Sequence, residues 1–291
     1  MCRDNPAVPD DELLRSTLRD QWHLVPTEIT ERPKSLMSRG WEVVAGADRY
    51  EARLAESAAR QQIEAGLMAA EHLRGVRIDA GEPIRTLGGG LTAETPYGAL
   101  AVLRRVPGRH LDGRDPVDQQ WWGDRLGAVH RALQDFRHPG LRPWQLLDPD
   151  APHLGAESWL RGAVVAAVTA TTRLTVTDQL TYGVLHGDPA PDAFVLDAET
   201  GRSGLLHCGA SGTGPLVYDV AAAVAYAGGP DQAAEFLDGY RAAGPVGADE
   251  LDAALPVLLR LRWAVQADRA VRRGCEARLS EARRALESMP G

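Results

Sequence analysis

Strand-like segments of this 291-residue chain are gathered in its first 105 residues and helical ones in the remainder. That order is the strongest constraint on the fold. Without alternating strand and helix units there is no doubly wound parallel sheet, and neither GxGxxG nor GxxxxGKS/T occurs to suggest a Rossmann or P-loop site. Residues 41–54 read as two short strands about a Gly46-Ala47-Asp48 turn. Residues 57–74 read as a helix with Ile63, Leu67 and Ala70 on one face, and 83–106 as a β-meander turning at Gly88-Gly89-Gly90 and Pro96-Tyr97-Gly98. A short helix capped by Asp10 or Asp11 precedes them and runs to about Trp22. Val106-Pro107-Gly108 interrupts the pattern. Beyond it, helices are predicted at 117–134, 157–172, 216–227, 231–242 and 249–287, the last broken near Pro256 and Gly274, with one β element at 182–208. The expectation is an α+β fold of two lobes: residues 1–105, a β-meander with one helix, and residues 106–291, helical with a hairpin at 182–208.

Composition narrows the partners. A formal charge of -8 leaves no overall electrostatic footprint for nucleic acid or an anionic membrane, and no run of about 18 apolar residues suggests a membrane span. Cys2, Cys208 and Cys275 are too few and too scattered for a disulfide framework, which points to a reducing, cytoplasmic setting. Lys34 is the single lysine among 32 basic residues, so a mechanism that needs lysine elsewhere is excluded.

The most informative segment is 182–226, in which His186-Gly187-Asp188, a hairpin and Tyr218-Asp219 at the start of an apolar helix follow in order. This combination resembles the aminoglycoside phosphotransferase and choline kinase superfamily, relatives of the protein kinases. There, HGD is followed after four intervening residues by Asn, then a hairpin, an Ile-Asp-Trp segment and a Tyr-Asp. Leu126 to His130 also looks like the family's helix after the hinge. The resemblance implies a two-lobed protein-kinase-like fold.

It also implies roles. Asp188, with His186, matches the catalytic loop, whose aspartate orients the proton of an attacking hydroxyl. The Asn position falls on Ala193 and the Ile-Asp-Trp segment on Leu206-His207-Cys208, so both magnesium ligands are absent. A hairpin centred near residue 200 makes Ala193 and His207 cross-strand neighbours. Magnesium requires oxygen ligands, which leaves Asp192 as a substitute and His207 as a ligand for a softer ion. Arg53 and Glu64 fall where the family pairs a phosphate-binding basic residue, often lysine, with a helix Glu. Ser38-Arg39-Gly40 takes the place of the phosphate-covering loop, and Leu103 to Val106, with Arg104 and Val106, that of the strand facing adenine. Asp219 reads as a helix cap and as a support beneath the HGD loop. On the C-terminal helix, Trp263, Gln266 and Asp268, beside Arg260, Arg262 and Arg269, are the candidates for substrate contact; a packed Trp with a solvated Arg face is the other reading.

Loss of both metal ligands and of the phosphate lysine acts on one step, the neutralisation of charge in phosphoryl transfer. The expectation is therefore a pseudokinase of specialised, natural-product metabolism, which holds ATP or another nucleotide-like ligand, a peptide or a partner enzyme, with magnesium weak or absent. An active ATP-dependent transferase acting on a small-molecule or peptide hydroxyl is the alternative, and acid–base chemistry without ATP in the same cleft is a third. With no GxSxG, a hydrolase has little support.

Overall fold

A computed structural model describes residues 9–32, 39–177, 179–197, 199–206 and 212–289 of the chain. Strands β1 (Glu28–Glu31), β2 (Arg39–Ala45), β3 (Asp48–Ala55), β4 (Thr92–Thr95) and β5 (Gly98–Arg104) form one antiparallel sheet in the order β1-β2-β3-β5-β4. Period-two alternation divides its faces. Trp41, Val43, Tyr50, Ala52, Leu54, Leu100 and Val102 are buried together with Leu14, Leu18 and Trp22 of helix α1 (Asp11–Trp22). Alternation leaves Gly40, Glu42, Glu51 and Arg53 on the opposite face. Asp10 caps α1 by accepting the Leu13 N–H at 2.7 Å.

The sequence reading missed β1, because the tetrapeptide EITE has no buried residue to mark it. The expected meander is also shorter, since Pro83 makes only an isolated bridge to Leu103 and regular pairing begins at Thr92. Helix α2 (Arg60–Gly75) connects β3 to β4 and sends Ala65, Ala69, Ala70 and Leu73 into the main core.

That core is built from α3 (Pro116–Ala132), α4 (Leu160–Thr177), α5 (Val217–Ala227), α6 (Ala234–Ala243), α7 (Ala248–Arg273) and α8 (Glu276–Ser288). Helices α3 and α6 meet backbone to backbone at glycines. A Cβ on Gly123 would lie 1.9 Å from the Phe236 carbonyl oxygen, and one on Gly239 2.4 Å from that of Gln120. Helix α7 runs unbroken through Pro256, against expectation. Pro256 and Asp252 are both exposed, so the carbonyl that loses its intrahelical donor faces water. The chain breaks only at Gly274, whose φ of 64° ends α7 in the left-handed region.

The β element expected at 182–208 belongs to two sheets. Strand β8 (Tyr182–Leu185) pairs with β11 (Gly212–Pro215), which also pairs with β7 (Arg142–Pro143), whereas β9 (Phe194–Leu196) and β10 (Ser203–Leu205) form a hairpin beside β6 (Arg109–His110). The segment 186–193 therefore leaves one sheet and enters the other, and this crossing presents the candidate site. Among the described residues no helix is long and apolar enough to span a membrane.

Candidate functional site

The 186–193 loop is held from below by a buried carboxylate. Asp219, with no solvent exposure, accepts the backbone N–H of His186 at 2.6 Å and that of Gly187 at 3.0 Å. Gly187 has φ of 83°, a turn that a side chain resists. His130 of α3 lies with Nε2 3.1 Å from Asp219 Oδ2 and Nδ1 2.9 Å from the Tyr240 hydroxyl, so α3, α5 and α6 meet at one carboxylate. Asp219 is not the cap of α5: the cap residue is Leu216, and no side-chain bond is made there. The loop is fixed from its other side by Trp122, fully buried, whose Nε1–H donates to the Pro189 carbonyl at 3.1 Å.

His186 is 3% exposed, and its Nε2 lies 2.9 Å from the Leu206 carbonyl. A carbonyl only accepts, so Nε2 carries a proton; Nδ1 is buried with no partner among the described residues. The geometry makes His186 a strut between the loop and the hairpin.

Asp188 is the reactive-looking group of the loop, its side chain 29% exposed. The Tyr226 hydroxyl donates to its Oδ1. Tyr226 stands two turns after Asp219 on α5, a seven-residue spacing that puts both on one helix face. Burial and the adjacent Asp188 charge push the Tyr226 phenol up to about 12, although Arg262 and Arg278 oppose the shift. Arg262 of α7 lies over the Tyr226 ring at 5.7 Å, with Nη2 3.5 Å from the phenolic oxygen and 3.9 Å from Asp188 Oδ1. Tyr226 was not singled out in the sequence, and Arg262, 6% exposed, is no part of a solvated face.

The other C-terminal candidates are engaged elsewhere. Trp263 is packed in the core at 7% exposure, and Gln266 donates to Glu281 of α8 at 3.0 Å. Asp268 binds His153 at 2.5 Å and Arg272 at 3.0 Å. All three secure α7 against its neighbours instead of opening toward Asp188.

At the expected metal position the described residues offer Ala193, whose side chain is no ligand. Ala193 is 1% exposed in a short turn with Pro191 and Asp192; its N–H donates to the Ala190 carbonyl and its carbonyl accepts from Leu206 at 2.6 Å. Cross-strand pairs are Phe194 with Leu205 and Leu196 with Ser203, so Ala193 faces Leu206 and not His207. The register moves by one because the tight turn closes between Asp197 and Arg202. His207, Cys208 and Ser38 lie outside the described residues. Among the described residues no group of three His, Cys, Asp or Glu side chains is placed to hold a metal. Of the two expected ligand positions only 193 is described, and the Ala193 methyl group offers magnesium no oxygen.

A cavity of 230 Å³ opens between the five-stranded sheet and the β9–β10 hairpin, with Val106, Val195 and Leu206, Gly108, His110 and Asp192 among its lining. Its sheet wall is charged. Glu42 receives Arg32 and Arg49 at 2.9 Å each and Arg105 at 2.6 Å, and Arg53 bonds Glu51 at 2.9 Å. The expected Arg53–Glu64 pair is not made. Glu64 is taken by Thr92 at 2.7 Å and Arg60 at 2.9 Å, and although burial acts to raise its carboxyl, these bonds hold it below the usual range. Of the two candidates on the crossing strand, Val106 lines the cavity whereas Arg104 turns outward to Asp48 at 2.8 Å. Val106, Val195 and Leu206 form an apolar patch, and Tyr50 joins the ion pairs on the sheet side of the lining.

Comparison with known proteins agrees with this architecture. No curated protein sequence matches the chain significantly. Solved structures do. An amicoumacin kinase in complex with AMP-PNP, Ca2+ and Ami superposes with a TM-score of 0.77 at 16% identity, over 96% of this chain and 93% of that one. A microcompartment-associated aminopropanol kinase gives 0.75 at 18% identity, over 94% of each chain. The GDP complex of aminoglycoside 2'-phosphotransferase-IIIa gives 0.72 at 12% identity, over 96% and 98%. These likenesses establish a kinase-like α+β fold, with a β-rich N-terminal part and a helical C-terminal part. The model of the phosphotransferase enzyme family matches residues 28–255, most of the chain, and the chain belongs to that family.

Proposed function

We propose that this chain is a non-phosphorylating member of its family, a pseudokinase that binds a ligand in its cleft as an accessory protein. Ala193 carries the reading. It is a buried methyl group where the resemblance places a metal-binding amide, and its backbone bonds to Ala190 and Leu206 oppose a shift that would bring in Asp192. Without the divalent ion, phosphoryl transfer from ATP lacks its main charge neutraliser. Two further observations support it: the Asp188 carboxylate is engaged by Tyr226, and the carboxylates of Glu42 and Glu51 stand on the cavity wall with the arginines. Solved relatives named for amicoumacin and aminoglycosides support a setting in natural-product metabolism.

The active alternative has one observation in its favour, a partly exposed Asp188 with an exposed Asp192 at the cavity rim. Calorimetric titration with ATP and ADP, each with magnesium, manganese or EDTA, separates the two. The proposal expects the same weak or absent binding under all three conditions. Metal-dependent ATP binding accompanied by transfer that Asp188→Asn abolishes would establish the active enzyme instead.

A further inference from the structure

The two sides of the cavity beneath the five-stranded sheet differ in the groups they offer. On the sheet side Arg32, Arg49 and Arg105 pair with Glu42 and, among the described residues, with no other carboxylate, each giving it a single N–H. A guanidinium carries five N–H donors, so three such groups on one carboxylate leave both donors and positive charge over. Arg32 and Arg105 line the cavity, with side chains 39% and 34% exposed. The hairpin side holds acceptors. Asp192 is exposed, and its carboxylate bonds no described residue, while its backbone carbonyl lies 2.7 Å from His110 Nδ1. A carbonyl only accepts, so Nδ1 carries a proton and the neutral ring keeps a lone pair at Nε2.

We infer that this cavity takes a small zwitterion with its carboxylate and its amino group at opposite ends of an apolar body, an ω-amino acid in the simplest case. The carboxylate takes the N–H groups left on Arg32 and Arg105, and the ammonium is received by the Asp192 carboxylate and His110. The chain between them lies on Val106, Val195 and Leu206. A polyphosphate spreads over more of the wall and meets the carboxylates of Glu42 and Glu51 as well. The volume of 230 Å³, below the roughly 300–1,000 Å³ of pockets for drug-sized ligands, suits a molecule this small. The inference rests on the reading of the chain as a non-phosphorylating, ligand-binding protein and names the chemical class of the ligand.

The test is calorimetric titration of the full chain, in EDTA and without nucleotide, with the series from 4-aminobutanoate to 8-aminooctanoate and with hexanoate and hexylamine. The best of the series should bind at least about tenfold more tightly than either singly charged analogue, the difference made by one charged hydrogen-bond partnership. Arg105→Gln should weaken the amino acid and hexanoate about tenfold, but not hexylamine. Asp192→Asn should weaken the amino acid and hexylamine, but not hexanoate. Both residues are a third or more exposed, and Arg32→Gln repeats the first arm should Arg105→Gln not fold. No binding across the series, equal binding of amino acid and hexanoate, or indifference to these variants would overturn the inference, and would leave the non-phosphorylating reading standing so long as magnesium gives ATP no added affinity. Metal-dependent phosphoryl transfer from ATP would overturn that reading, and the amino-acid titration, run without metal or nucleotide, would still decide the ligand.

Discussion

The Asp219 carboxylate accepts the His186 backbone N–H at 2.6 Å from a position with no solvent exposure. The same carboxylate meets Gly187 and His130, so three groups from two segments depend on it. Asp219→Ala leaves two backbone donors unpaired in the core. The expected cost is about 3–5 kcal/mol, the range for breaking a buried charged partnership, read as a lowered denaturant midpoint. An unchanged midpoint would contradict the bracing role.

Tyr226 ties stability to alkaline pH. An ordinary phenol titrates near 10, and this one is pushed up to about 12 by burial and Asp188. The fold therefore keeps a proton that the unfolded chain releases, so the contribution is fully present below pH 10 and is lost as pH rises through about 12. Tyr226→Phe should flatten that part of the stability profile. Asp188→Asn should bring the phenol down, visible in the ultraviolet difference titration of tyrosinate against the Phe variant.

Glu42, on the cavity wall with Arg32 and Arg105, also pairs with Arg49. Glu42→Gln removes the charge they share. Each arginine is a third or more exposed, so the stability loss is expected to be at most about 1 kcal/mol. The larger effect is on ligands: tripolyphosphate should bind more tightly in EDTA. A weaker or unchanged affinity would mean that the wall is not an anion-excluding network.

Ala193→Asn with His207→Asp restores the ligand pattern that the family resemblance implies. Metal-dependent ATP affinity should rise, while the single Ala193→Asn, placed at a 1% exposed site, costs about 1–3 kcal/mol by overpacking. No gain from a folded double variant would sink the alignment of these two positions.

Gly123→Ala tests the α3–α6 contact. The added methyl would lie 1.9 Å from the Phe236 carbonyl oxygen, which belongs to a helix backbone and cannot turn aside. A loss of about 3 kcal/mol is expected in chemical denaturation, larger than for Gly162→Ala, where the new Cβ meets nothing within 4 Å.

Much of this molecule is determined by its sequence alone. Apolar periodicity places α1, α2 and the helices after residue 115, strand alternation places β2, β3 and β5, and the ordered HGD and YD pair locates the loop and its buried support. These signals are local: each depends on a few residues whose spacing matches a helix turn or a pleat. Tertiary structure decided the rest. Whether Ala193 faces His207 or Leu206 depends on how one turn closes, and a single-residue change there exchanges every partner. Arg53 and Glu64 have the spacing of a pair but find nearer partners in Glu51, Thr92 and Arg60, because side-chain charges settle on whichever neighbours the sheet and helix bring within reach. The corner of Asp188, Tyr226 and Arg262 joins residues 188, 226 and 262 from a loop and two helices. Its geometry is set by the packing of α5 against α7, and no periodicity within either helix records where the other will lie.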